Sequence, residues 1–155
     1  MSTPPVVKLR LEREFDATPE EVFDAWTNPE VLARWWGPAP SWDSARCDVD
    51  LRVGGGYVMR VRNPDSGTEL EVAGEYREID PPRRLVYTWV WAEGGPSPGL
   101  ATVVTVEFVA LGDRTKVVLE HDGFGSEDLR TRHGDGWIGA FDSLRDLIFE
   151  GRAAG

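Results

Sequence analysis

Two histidines and three tyrosines are the side chains of this sequence best suited to transfer protons or to orient a bound molecule. His121 alternates with Val117 and Leu119, so it should share their face of a strand. Tyr57 and Tyr87 lie in two other alternating segments. Polar groups of this kind, set among aromatic side chains, fix the orientation of the ligand in many small-molecule pockets. For His121 we expect a structural hydrogen bond, with contact to a ligand as the alternative.

Arg13 and His133 are two further candidates. Arg13 interrupts the apolar face of the first predicted strand, and because a guanidinium stays charged, its burial would require a carboxylate or several carbonyl groups. We expect a structural ion pair or a position at the rim, with an anionic group of a ligand as the alternative partner. His133 lies near the start of the last predicted helix, where it should cap or pack.

Motifs for other kinds of chemistry are missing from the sequence. It has no G-x-S-x-G elbow and no P-loop, and Gly54–Gly56 lies between strands instead of opening a helix. The histidines have no recognised zinc spacing, and Cys47 has no neighbouring histidine, so it should be an inert, buried thiol. We therefore expect no metal and no cofactor.

Composition limits the class of protein and its partners. The 155 residues suit one domain, and the net charge of -10 disfavours nucleic acid or an anionic membrane as a partner. One cysteine, no leader and no apolar run approaching about 18 residues make the cytoplasm the expected location.

Two short helices are predicted within Asp16–Pro38. Thr18 is a suitable N-cap and Pro19 suits the first helical position, so the first helix should begin there. Asn28-Pro29 restarts the apolar pattern in a second helix, and Gly37–Pro40 should prevent it from continuing.

Most of the remaining sequence has the period of a β-sheet. Strands are predicted at 7–15, 42–51, 57–62, 68–79, 85–91, 100–111 and 114–122, joined by turns rich in glycine, proline and aspartate. One long amphipathic helix follows at 127–150. The order predicts an α+β protein in which a curved antiparallel sheet buries one face against that helix.

Six motifs of this sequence, in this order, carry a resemblance to a known family: DATPEEVFDAWTNPEVLARWWGP, DLRVGGGY, GEYREIDPPRRLVYTW, VTVEF, TKVVLEHDGF and Gly136-Trp137 near His133. Together they resemble the activator of heat-shock protein 90 ATPase homologue-like family of the START-like (SRPBCC) superfamily. The resemblance covers residues 6–150 as a single domain. It implies a helix-grip (Bet v 1-like) fold, in which a seven-stranded sheet curls around the C-terminal helix and the two short helices close a cavity for hydrophobic small molecules.

The predicted inward faces of the sheet, the short helices and the last helix are mainly aromatic. Such side chains line ligand pockets, but each also stabilises an ordinary core by about 2–3 kcal/mol when buried, so a filled core is the alternative. The predicted ligand-binding residues are Trp26, Trp35, Tyr57, Met59, Tyr76, Tyr87, Trp89, Trp91, Phe108, His121, Trp137 and Phe141.

Three functions agree with this sequence. We favour a protein that binds an apolar or aromatic small molecule. The first alternative is a polyketide cyclase or aromatase, in which His121, Tyr57 and Tyr87 would assist proton transfer. The second is a chaperone ATPase accessory module. A further hypothesis is a homodimer through exposed apolar positions of the convex face, such as Val86, Thr88 and Val90.

Overall fold

The computed structural model describes residues 7–37 and 41–154 of the chain. Pro38 and Pro40, which were expected to stop the second helix, lie outside the described residues. The elements are β1 (Val7–Phe15), α1 (Pro19–Thr27), α2 (Pro29–Trp35), β2 (Asp43–Val49), β3 (Gly56–Arg62), β4 (Glu69–Asp80), β5 (Arg84–Trp91), β6 (Thr102–Leu111), β7 (Arg114–Phe124) and α3 (Glu127–Ala154).

All seven strands form one antiparallel sheet in the order β1-β7-β6-β5-β4-β3-β2. Helix α3 contacts β1, β7 and α2, while α1 contacts β6 and β7. The sheet therefore buries one face beneath the three helices, and the predicted helix-grip fold is confirmed.

The two short helices meet at a shared cap. The Thr18 side chain accepts a hydrogen bond from the backbone of Glu21 at the start of α1, and the Glu21 side chain completes a capping box. Asn28 ends α1 and also begins α2, where its side chain accepts from the backbone of Glu30 at 3.1 Å. The Trp35 indole donates to the Ala25 carbonyl at 2.8 Å, which ties the end of α2 to α1.

Two strands are shorter than the alternation predicts, because turn hydrogen bonds take up their ends. The Asp50 amide donates to the Gly56 carbonyl at 2.9 Å, so β2 ends at Val49. The Leu100 amide donates to the Ser97 carbonyl at 3.2 Å, so β6 begins only at Thr102.

Aromatic side chains fill the centre of the space between sheet and helices. The Trp26 ring contacts Trp35, Phe108 and Phe141 edge to face at centroid distances of 4.6, 5.6 and 5.9 Å. It also stacks on Trp137 at 6.4 Å. Most of the predicted hollow is therefore occupied by the protein's own rings.

The convex face differs from the expectation for a dimer surface. Val86, Thr88 and Val90 are half-buried, so describing them as exposed was wrong. Thr88 is half-buried because neighbouring residues contact it. Its hydroxyl accepts a hydrogen bond from the Glu75 amide, and its carbonyl accepts one from the Tyr57 hydroxyl. A homodimer stays a prediction.

Candidate functional site

A cavity of about 120 Å³ remains at one end of the space between the sheet and α3. Four indoles form much of its wall, and the β5–β6 loop contributes Pro96. Its lining residues are Trp36, Gly37, Leu70, Trp89, Trp91, Pro96, Arg132, His133, Gly136, Trp137 and Ala140.

Small residues on α3 leave this space open. Gly136 and Ala140 are four residues apart, so they lie on the same face of the helix. A Cβ built on Gly136 would have no heavy atom within 4 Å. The opposite wall consists of Trp89 and Trp91, whose rings meet edge to face at 5.4 Å.

A second void, beneath α1 and α2, is almost closed at about 10 Å³, which is room for about one water molecule. The Tyr57 ring contacts Tyr76 at 5.7 Å and Tyr87 at 5.3 Å, and these rings take up the space. The Tyr57 hydroxyl donates to the Thr88 carbonyl at 2.6 Å, and the Trp26 indole donates to the Tyr87 hydroxyl at 3.3 Å.

Burial further disfavours the ionised form of these tyrosines. It raises the pKa of Tyr57, Tyr76 and Tyr87 above the ordinary value, since a phenolate would lose its hydration. All three stay neutral near pH 7 and are poor general bases there.

His121 is fully buried within a directional hydrogen-bond relay. The Trp137 indole donates to Nδ1 of His121 at 3.1 Å, so Nε2 carries the ring proton and lies 2.7 Å from the Thr102 hydroxyl oxygen. The Thr102 hydroxyl then donates to the Trp89 carbonyl at 3.1 Å. Every polar atom of the His121 ring has a partner, so the expected structural hydrogen bond is confirmed.

Both ring nitrogens of His133, at the wall of the larger cavity, also have hydrogen-bond partners. The Trp91 indole donates to Nε2 of His133 at 2.8 Å, and Nδ1 lies 2.8 Å from the Leu129 carbonyl oxygen, to which it donates as the protonated nitrogen. Neither nitrogen is free to bind a ligand or a metal ion. This agrees with the expected packing role.

Acidification should therefore destabilise the protein before its carboxylates titrate. Burial lowers the pKa of His121 well below 6.5, with a smaller contribution from His133, and burial also lowers the pKa of His133. The unfolded chain thus binds protons first, and stability that is complete above about pH 7 is lost as the pH falls through 6.5. For His121 alone, the free energy of unfolding should fall by about 1.4 kcal/mol for each pH unit below 6.5.

Urea unfolding at pH 7.5, 6.0 and 5.0 measures this slope. His133→Gln is a useful comparison, because it removes one titrating ring and should retain the part of the slope due to His121. A free energy of unfolding that does not change over this range would contradict neutral, buried histidines.

Trp89 carries an unusual polar atom. Within the described part of the chain, its Nε1 is the one buried side-chain nitrogen or oxygen that lacks a hydrogen-bond partner. Trp89 lines both spaces and is about 5 % exposed. A buried donor without an acceptor costs about 1–3 kcal/mol, so such atoms are rare in folded proteins.

Comparison with known protein families matches residues 16–148 to the Activator of Hsp90 ATPase homolog 1-like protein family. The chain belongs to this family. An AHSA1 protein from Silicibacter pomeroyi has a similar structure, with 27 % identity, a TM-score of 0.81, and coverage of 93 % of this chain and 99 % of that one. A protein from Chromobacterium violaceum is also similar, with 26 % identity and a TM-score of 0.79. The match covers 91 % of this chain and 96 % of that one.

CalU16 from Micromonospora echinospora is 30 % identical, with a TM-score of 0.68 over 91 % of this chain and 75 % of that one. Among curated proteins, the comparison gives no match.

The described helices of this family member include none that is long and apolar enough to span a membrane.

The predicted site residues of this family member separate into three groups. Trp89, Trp91 and Trp137 line the larger cavity. The residues around the smaller void are Trp26, Tyr57, Met59, Tyr76, Tyr87 and again Trp89. Trp35, Phe108, His121 and Phe141 are buried in the core and line neither space.

Arg13 has the structural role that its position favoured. Its guanidinium lies 2.6 Å from the Asp142 carboxylate and 5.7 Å from the centre of the Phe141 ring. Arg13 therefore pairs within the protein, and it does not line the larger cavity.

Sequence reasoning missed Trp36, Arg132, Gly136 and Ala140, which all line the larger cavity. Helical spacing was a usable signal for the last three, because Arg132, Gly136 and Ala140 recur every four residues. No sequence signal placed the Trp36 ring, since it lies just after α2.

Proposed function

We propose that this protein binds a small hydrophobic molecule in the 120 Å³ cavity between Trp36, Trp89, Trp91 and α3. The observation that carries the proposal is an apolar space of this size beside a core that is otherwise filled. Cavities of about 150 Å³ with apolar walls stay dry and bind benzene. The size therefore favours a ligand of about one ring.

The cyclase alternative has less support. His121, Tyr57 and Tyr87 would have to act on a substrate, yet His121 and Tyr57 already use their polar atoms within the protein. None of the three lines the larger cavity, and a polyketide of several rings exceeds its volume.

The family description favours a chaperone as a second candidate partner. Co-purification with the chaperone from an extract, with and without nucleotide, tests this role. Retention of the chaperone in either condition would support the chaperone role, and its loss in both conditions would contradict that role.

An NMR titration of the seven tryptophan indole N–H groups with toluene tests the binding proposal. We expect saturable shifts for Trp36, Trp89, Trp91 and Trp137, with a Kd of roughly 0.1–1 mM for a ligand of this size. Trp42 lines neither space, so it is the internal reference. Shifts that do not saturate, or that are equal at Trp42, would contradict the proposal.

A further inference from the structure

Two indoles separate the larger cavity from the smaller void. Trp36 and Trp89 line both spaces, and within the described part of the chain they are the residues that the two linings share. Their ring centres lie 5.7 Å apart, with the ring planes tilted by 47°. Aromatic rings at this separation are in contact, so the pair forms a partition between the two spaces.

Trp89 is the rigid half of this partition. It lies on β5, which pairs with a strand on either side. Its ring contacts three further rings besides Trp36, at centre-to-centre distances of 5.4 Å to Trp91, 5.2 Å to His121 and 5.3 Å to Trp137. Because a densely packed side chain must displace its neighbours in order to move, Trp89 has a fixed position.

Trp36 has fewer contacts than Trp89. Among the aromatic side chains of the described residues, its ring contacts Trp89 and, at 6.4 Å, Trp91. The indoles of Trp91 and Trp137 donate hydrogen bonds, whereas the described part of the chain supplies no acceptor to the Trp36 indole. Removing the Trp36 ring would therefore open the partition without leaving a described polar group unpaired.

The end of α2 brings the Trp36 ring to this boundary. The Trp36 amide donates to the Leu32 carbonyl at 3.0 Å, and Leu32, one turn earlier on the same helix face, also lines the smaller void. Gly37 lines the larger cavity instead. Its φ of 147° is a conformation that residues with a Cβ rarely adopt, so the chain turns directly after Trp36.

The smaller void would extend the cavity if the partition were open. Leu32, Met59 and Leu85 contribute to its lining, so its surface suits an apolar group. At about 10 Å³ it holds no ring by itself. An indole consists of two fused rings, however, so the space that Trp36 occupies exceeds what one additional ring needs.

From these observations we infer that Trp36 determines the size of the ligand, an inference that rests on the proposed binding function. With Trp36 in place, the site accepts an apolar ligand of one aromatic ring and excludes one with two fused rings. Without the Trp36 indole, the larger cavity and the smaller void become one site for a two-ring ligand.

Toluene and naphthalene test this selection, because both are uncharged hydrocarbons and they differ in the number of rings. NMR titrations are made with the unaltered protein and with Trp36→Ala, keeping naphthalene below its solubility limit. The unaltered protein should bind toluene and show no saturable shifts with naphthalene. Trp36→Ala should bind naphthalene at least about tenfold more tightly than the unaltered protein does.

Met59 reports from the far side of the partition. It lines the smaller void and not the larger cavity, and Met1 is the other methionine of the sequence. The Met59 methyl signal, identified as the one lost in Met59→Leu, should move when naphthalene binds Trp36→Ala. It should stay in place when toluene binds the unaltered protein, since the partition then separates ligand and methyl group.

Two further variants serve as controls. Trp42→Ala removes an indole that lines neither space, so it should keep the exclusion of naphthalene. If circular dichroism shows that Trp36→Ala is unfolded, Trp36→Leu replaces it, because leucine keeps part of the apolar packing and still removes both rings.

The outcomes are distinguishable from those of the binding proposal. If toluene does not bind the unaltered protein, the proposed function itself fails. If naphthalene binds the unaltered protein as tightly as toluene, or if the folded Trp36 variant still excludes naphthalene, the inference about Trp36 fails and the binding function stands. An equal gain of naphthalene binding in Trp42→Ala would also overturn it.

Discussion

Replacing Trp26 with alanine is expected to lower the free energy of unfolding by about 3–5 kcal/mol. Trp26 is 3 % exposed, contacts four other aromatic rings, and donates a hydrogen bond to the buried hydroxyl of Tyr87. The alanine variant creates a cavity where α1, the sheet and α3 meet. Because whole domains are stable by only about 5–15 kcal/mol, much of the total stability would be lost.

Urea unfolding followed by circular dichroism measures this loss. Phe149→Ala is the matched control, because Phe149 is 72 % exposed on α3, and its truncation should change stability by no more than about 0.5 kcal/mol. A loss below about 1 kcal/mol for Trp26→Ala would mean that the aromatic centre packs loosely.

Replacing Gly136 with leucine is expected to weaken the binding of a ring-sized ligand at least about tenfold, which corresponds to 1.4 kcal/mol. The new Cβ meets no heavy atom within 4 Å, and the rest of the side chain would occupy the cavity that the ligand needs. The helix itself should not suffer, since leucine forms helix better than glycine by somewhat less than about 1 kcal/mol.

Isothermal titration with toluene, together with a thermal melt, checks both parts. Gly151→Leu is the control, because Gly151 is also in α3, has open space around its Cβ and does not line this cavity. Unchanged binding in folded Gly136→Leu would place the ligand elsewhere on the protein.

Local chemistry made the elements of the fold predictable from the sequence. Thr18 and Asn28 have the side chains that cap helices, and strict alternation from Val7 to Phe15 has the period of a half-buried strand. The ends of β2 and β6 were less predictable, because backbone hydrogen bonds in the adjacent turns decide them.

The candidate site was predictable only in part. The alternating pattern correctly predicted that Trp89 and Trp91 face inward. It could not show whether neighbouring rings would fill the space in front of them. That depends on side-chain packing across the sheet and α3. As a result, Tyr57, Tyr76 and Tyr87 occupy most of one predicted pocket, while two small residues, Gly136 and Ala140, keep another open.

The relay from Trp137 through His121 and Thr102 to the Trp89 carbonyl joins α3 to three successive strands, β7, β6 and β5. The bond from Trp137 is the one that crosses from α3 to the sheet, so sliding α3 would leave two buried groups unpaired, the Trp137 indole N–H and Nδ1 of His121. The middle of α3 cannot detach alone without that cost. Its backbone amides should therefore exchange with deuterium only when this part of the sheet also opens, as one cooperative unit.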